Sequence, residues 1–222
     1  MSDRFARLYD TLMADVDYQA IYDMIKPYLS EHDTIVDAGC GSGYLLALLL
    51  ANGHEAIGID ADPMMLSLAR ERLLEQGLST PLFEHDLRQR LGIKVDVVLA
   101  MFDVINYFKG IKTVLQNIHA ALKPGGLFIF DLYTEAVPVL YRDFVEEEED
   151  PMPYRWTIKA GRKMLLHHIK YAGGEAVIRQ YVHPLHEVLD MLVTTGFKVK
   201  VSKGPDPRKH VIIARRTGDF LF

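Results

Sequence analysis

Val36-Asp37-Ala38-Gly39-Cys40-Gly41-Ser42-Gly43 is the stretch on which the fold turns. Ile35–Ala38 reads as a short apolar strand, and the uninterrupted apolar run from Tyr44 to Ala51 reads as a helix that starts at once. Glycines at the C-terminal edge of a first strand let a ligand approach the backbone closely. The dinucleotide fingerprint G-x-G-x-x-G fails here, because the third glycine it needs falls on Tyr44 and the chain reads G-x-G-x-G instead. About twenty residues on, Gly58-Ile59-Asp60 ends a second strand in a carboxylate suited to accept hydrogen bonds from both hydroxyls of a ribose. That carboxylate alone does not discriminate between nucleoside-containing cofactors.

Working outward, the alternation continues for about a hundred residues. Strands are expected at Ala56–Ile59, Pro81–Glu84, Val95–Met101 and Gly126–Leu132, with helices at Pro63–Gln76 and Ile111–Leu122. The run Val95-Asp96-Val97-Val98-Leu99-Ala100-Met101 is nearly all apolar, as a strand covered on both faces must be. Right-handed crossovers then give an α/β fold, a Rossmann-like doubly wound and mostly parallel sheet. Before it, Phe5, Leu8, Leu12 and Met13, then Ile21, Met24, Ile25 and Leu29, recur at helical spacing, with Asp17 as an N-cap. After Leu132 the pattern changes. Glu146–Asp150 is an acidic run closed by Pro151 and Pro153 and is expected as a solvated loop. Three strands follow, Tyr154–Lys159, Lys163–Tyr171 and Ala176–His183, separated by Ala160-Gly161-Arg162 and Ala172-Gly173-Gly174-Glu175. They predict an inserted antiparallel three-stranded lid. A helix over Pro184–Thr195, stopped by Gly196, and strands Phe197–Ser202 and His210–Arg215 close the chain. The expected organisation is residues 1–133 for the N-terminal helices and core, 134–183 for the lid, and 184–222 for the elements completing the core sheet.

Composition narrows the partners. The 222 residues are 49% hydrophobic and 25% charged, the proportions of a globular protein. Twenty-five Lys+Arg against thirty Asp+Glu leave a net charge of -5, so no general nucleic-acid binding is expected. The longest apolar run is far short of the roughly 20 residues that cross a bilayer, and Met1-Ser2-Asp3-Arg4-Phe5-Ala6 lacks a signal-peptide pattern. A single cysteine, Cys40, cannot form an internal disulfide, which fits a cytoplasmic location.

The glycine stretch, Gly58-Ile59-Asp60, His85-Asp86-Leu87, Asp96–Met101 and Leu122-Lys123-Pro124-Gly125-Gly126-Leu127, in this order, resemble the class I S-adenosylmethionine-dependent methyltransferases. The resemblance covers about residues 20–133 well and the tail from 184 more loosely. It implies S-adenosylmethionine as cofactor and S-adenosylhomocysteine as product. It also implies that Asp37 and the backbone of Gly39, Cys40 and Gly41 hold the methionine part, and that Asp60 and the adjacent Ala61 take the ribose. Asp86 with the Leu87 backbone would meet the adenine edge, and Met65 and Met101 would sandwich the ring through thioethers that pack well on aromatics. Two of these have plainer readings, Asp37 as a loop cap and Met65 as helix core. Tyr9 and Tyr18, in a stretch similar to a bacterial branch of the family, either contact the cofactor or only pack on the sheet.

The acceptor is less legible. Methyl transfer needs alignment, exclusion of water and a route for the acceptor's proton, so no catalytic triad is required. Met101-Phe102-Asp103-Val104-Ile105-Asn106-Tyr107 lacks the Asn/Asp-Pro-Pro-Tyr/Phe sequence that adenine-amine and glutamine-amide enzymes carry here. Asp103, Asn106 and Tyr107 are candidates for contacting an acceptor, Asp103 equally a helix-terminal acid. His183 is a candidate base against a structural role. His167 and His168 point to opposite faces of a strand and cannot share one metal, and no metal site is expected. The leading expectation is methyl transfer to nitrogen or oxygen of a small molecule by a monomer or homodimer. The alternatives are an RNA- or protein-modifying enzyme, with Lys198, Lys200, Lys203, Arg208, Lys209, Arg215 and Arg216 as the candidate basic patch, and a non-catalytic regulatory module that only binds the cofactor.

Overall fold

Strand–helix alternation from Thr34 onward folds into a parallel sheet because each apolar strand is covered on both faces by the helices that connect it to the next. A computed structural model describes residues 2–150 and 152–218. Met1, Pro151 at the end of the acidic run, and residues 219–222 at the end of the last segment lie outside the described residues.

The order is α1 (Asp3–Leu12), α2 (Tyr18–Ile25), β1 (Thr34–Ala38), α3 (Tyr44–Ala51), β2 (Glu55–Asp60), α4 (Pro63–Glu75), β3 (Leu82–Glu84) and β4 (Val95–Ala100). Then come α5 (Lys112–Ala121), β5 (Leu122–Tyr133), α6 (Val137–Leu140), β6 (Phe144–Glu148), β7 (Tyr154–Ala160), β8 (Met164–Tyr171) and β9 (Gly174–Tyr181). The helix α7 (Leu185–Thr195) and the strands β10 (Phe197–Lys203) and β11 (Lys209–Arg216) end the described chain. Caps agree with the local sequence. Asp17 Oδ1 accepts from the Ala20 N–H at 2.8 Å, and α7 stops at the left-handed Gly196.

Among the described residues the main sheet has seven strands in the order β10-β11-β5-β4-β1-β2-β3. Pairings β5-β4-β1-β2-β3 are parallel, and β11 and β10 are antiparallel to their neighbours. The strand order reverses between β1 and β4, which opens a crevice at their C-terminal ends. Alternation decides the two covering layers. Val97, Leu99 and Met101 pack with residues of α2 and α3, whereas Val98 and Ala100 pack with residues of α5 and α7.

The second sheet is antiparallel, in the order β6-β7-β8-β9, so it has four strands where three were expected. The extra strand is Phe144–Glu148, and the acidic run is therefore largely strand and not loop. Cross-strand pairing explains why these charges tolerate a sheet: Glu147 ion-pairs with Arg155 at 3.0 Å, and Glu146 accepts from the Tyr154 hydroxyl at 2.6 Å. Acidic side chains on an edge strand also discourage further strand addition.

Candidate active site

All three carboxylates expected to hold the cofactor, Asp37, Asp60 and Asp86, reach the crevice. Gly39 and Cys40 donate their N–H groups to the Ile59 carbonyl at 2.7 and 3.0 Å, which fastens the glycine loop to the end of β2. Asp60 Oδ2 accepts from the Gly41 N–H at 2.9 Å and Oδ1 from the Asp62 N–H at 2.8 Å. Gly39 has φ +75°, and a Cβ there would lie 2.5 Å from a Val104 methyl, so the position admits no side chain. Gly41 is also left-handed, and the space a Cβ would fill is open.

A cavity of about 700 Å³ lies over this loop. Of the residues expected to bind cofactor, Tyr9, Tyr18, Asp37, Gly39, Cys40, Gly41, Asp60, Ala61, Met65, Asp86 and Leu87 line it. Met101 does not. It is 1% exposed inside the α2–α3 layer, because strand alternation turns it away from the crevice. Phe102, the next residue, lines the cavity instead.

The electrostatics follow from burial. Asp37 is 3% exposed, and its Oδ2 has no hydrogen-bond partner among the described residues. Burial, with Asp60 nearby, pushes its carboxyl up to about 7. Burial also raises Asp60, opposed by the backbone N–H groups it accepts from. Asp86 is held below the usual range by hydrogen bonds from Arg88. Burial pushes the Cys40 thiol far up, which leaves it protonated and unreactive. Tyr9 and Tyr107 hydroxyls meet at 3.2 Å, and burial with the Asp103 charge pushes Tyr9 up to about 12.

The three catalytic candidates, Asp103, Asn106 and His183, are not among the residues lining the cavity and have partners elsewhere. Asp103 pairs with Lys209, and its Oδ2 accepts from Gln180 at 2.7 Å. Fully buried Asn106 donates to the Tyr181 carbonyl at 2.7 Å and accepts from the Tyr133 N–H at 3.2 Å. His183 Nε2 contacts the Phe108 carbonyl at 3.0 Å. Sequence reasoning also missed Arg72. Its guanidinium sits 3.5 Å from the Tyr44 ring centroid, donates to the Ser42 carbonyl and pairs with Asp10 at 3.1 Å, clamping α1 to the glycine loop. Tyr18 stacks on Tyr44 at 4.4 Å. An arginine 29 residues beyond Gly43 carries no local signal of this role.

A crevice at a strand-order reversal, floored by a glycine loop and flanked by a carboxylate at the end of β2, defines a nucleotide-binding type of doubly wound sheet. Comparison with known proteins specifies it. Residues 36–128 match the family described as "Methyltransferase domain". The Bacillus subtilis protein named "Putative methyltransferase YqeM" is 30% identical over 215 residues, covering 88% of this chain and 85% of that one. The crystal structure of an S-adenosylmethionine-dependent methyltransferase from Clostridium acetobutylicum superposes with a TM-score of 0.82 over 97% of this chain and 99% of that one, at 20% identity. CalS10, an amino pentose methyltransferase from Micromonospora echinaspora solved with S-adenosylmethionine bound, gives 0.74 over 95% and 97%, also at 20%. The chain belongs to the class I S-adenosylmethionine-dependent methyltransferases, and S-adenosylmethionine is its cofactor. The residues present suit that group: a buried carboxylate oxygen lacking a donor suits an ammonium, and the bare left-handed loop admits close backbone approach.

Proposed function

We propose that the enzyme methylates nitrogen or oxygen of a small-molecule acceptor held between the glycine loop and the second sheet. One observation carries this reading. The cavity continues past the cofactor-side residues into a wall of Phe102, Val104, Tyr107, Phe108 and, from β9, Tyr181. In this reading Asp37 and the Gly39–Gly41 backbone hold the methionine part, Asp60 and Ala61 the ribose, and Asp86, Leu87 and Met65 the adenine, with Tyr9 and Tyr18 covering it. Bound S-adenosylmethionine supplies a methyl group on a sulfonium, already a good leaving group. The chain aligns the acceptor and excludes water, and the phenols of Tyr9 and Tyr107 orient it as neutral hydrogen-bonding groups.

The basic residues do not favour an RNA acceptor. Arg208 pairs with Asp206 at 2.8 Å and Lys209 lies buried between Asp103 and Asp131. Arg215 donates to the Gly125 carbonyl at 2.7 Å, and Arg216 to the His119 and Leu122 carbonyls at 3.2 and 2.5 Å. Lys200 donates to the Tyr28 hydroxyl at 3.0 Å, and Lys198, Lys200 and Lys203 are the exposed cations of β10. No helix of the described residues is long and apolar enough to cross a membrane. A cytoplasmic monomer or homodimer completes the reading.

The test has two arms. Thermal-shift titration with S-adenosylmethionine, S-adenosylhomocysteine and NAD should show a rise with the first two only. At about 100 times Kd that is roughly 2.7 kcal/mol, or several degrees for a chain this size. Labelled-methyl transfer is then run against small amines, amino sugars and phenols beside RNA and ribosomal protein. Amines come first, since CalS10 is named for an amino pentose. Label entering only macromolecules would refute the small-molecule reading.

A further inference from the structure

Just past β4, Phe102 and Asp103 both have left-handed backbones, with φ of 62° and 58°. Side-chain-bearing residues hold that conformation in succession only when their surroundings impose it. The imposing group is Asp131 on β5, 1% exposed, whose carboxylate accepts the N–H of Phe102 at 2.9 Å and of Asp103 at 2.5 Å. A buried carboxylate doing this beside a second one needs a cation, and Lys209 on β11 supplies it. Its ammonium lies 3.2 Å from Asp131 and is paired with Asp103. Gln180, from β9 of the second sheet, donates to Asp103 Oδ2 at 2.7 Å while its Oε1 accepts from the Tyr133 hydroxyl at 3.2 Å.

The turn so held sets the cavity wall. It places the Phe102 ring in the cavity, 4.8 Å from Tyr18, and packs Val104 against bare Gly39. Lys209, Asp131 and Gln180 are not among the residues lining the cavity. We propose that Lys209 is a positioning residue: by neutralising Asp103 and Asp131, with Gln180 as the tie to the second sheet, it fixes the left-handed turn that presents Phe102 and Val104 to the acceptor. The proposal rests on the reading that this wall faces the acceptor.

Residue-resolved amide exchange on the full chain tests it, with S-adenosylhomocysteine binding measured on the same wild-type sample. In Lys209→Met the two carboxylates face each other without a cation. Exchange at Phe102 and Asp103 should accelerate about tenfold or more, while the β1 and β2 amides stay within about threefold. Adding Asp103→Asn removes one of the facing charges and should slow exchange at the turn again, a rescue that loss of packing alone does not give. Should Lys209→Met fail to fold, Gln180→Leu keeps the cation and should loosen the same two amides. Unchanged exchange at the turn, equal acceleration throughout the sheet, or a double variant no slower than Lys209→Met would overturn the proposal. A wild-type protein that shows the expected exchange pattern yet binds no S-adenosylhomocysteine would instead overturn the cofactor reading.

Discussion

Replacing Asp37 by Asn should make the ligand-free protein more stable at alkaline pH while weakening its grip on the cofactor. The carboxyl is 3% exposed and titrates near 7 in the fold, against 3.8 unfolded. A raised carboxyl penalises the ionised folded state. The contribution of Asp37 to wild-type stability therefore falls as pH rises from about 4 to about 7 and is level above that, by some three pK units or roughly 4 kcal/mol in all. Asn has nearly the same shape and does not ionise. Its amide adds a donor at Oδ2, where no partner waits, at a pH-independent cost of about 1–3 kcal/mol. The two terms give a net gain of about 1–3 kcal/mol at pH 8, and the variant-minus-wild-type difference should grow by about 3 kcal/mol between pH 5 and pH 8. For a chain of this length each kcal/mol moves Tm by about 2–4 °C, so thermal unfolding without ligand at pH 5, 6, 7 and 8 resolves it. The same variant should bind S-adenosylmethionine at least about tenfold more weakly, the equivalent of 1.4 kcal/mol. A difference in Tm that is flat with pH would refute the burial argument. Unchanged affinity would refute the role given to the carboxylate.

Asp60→Ala removes the acceptor of the Gly41 and Asp62 N–H groups as well as the proposed ribose contact, and calorimetry should show S-adenosylmethionine affinity falling about a hundredfold with the fold retained by circular dichroism. In Gly39→Ala the new Cβ meets Val104 at 2.5 Å in a left-handed backbone; urea unfolding should show a loss of about 2–4 kcal/mol, and a change under 1 kcal/mol would contradict the close approach. Asn106→Leu leaves the Tyr133 N–H and the Tyr181 carbonyl without partners inside the protein, which should cost about 2–4 kcal/mol in the same assay.

The alternating strands and helices were legible because their cause is local: a strand covered on both faces must be apolar throughout, and Val95–Ala100 and Leu127–Leu132 nearly are. The glycine loop and Asp60 were legible for the same kind of reason, since a bare backbone and an acid at a strand end are visible one residue at a time. Where a side chain's role depends on what comes back to meet it, the sequence was silent. The acidic run looked like loop until Arg155 and Tyr154 arrived from the neighbouring strand to pair with it. Met101 and Phe102 are adjacent, and only the break at the end of β4 decides which one meets the cavity. Asp103, Asn106 and His183 were sensible catalytic candidates by type, yet each is occupied by a partner 75 or more residues away.

One further signal lay in plain view. Asp131 interrupts Phe128-Ile129-Phe130-Asp131-Leu132-Tyr133, and an acid inside a fully covered strand must find a compensating partner. The sequence by itself determined the parallel sheet and the glycine loop, because those follow from periodicity and backbone freedom, and the order of its motifs carried the resemblance that implied the cofactor. Tertiary structure alone decided that Lys209 and Gln180 would answer Asp131, and hence the shape of the cavity wall. Electrostatic neutralisation and hydrogen bonding act between groups close in space, and the chain brings those groups together only when it folds.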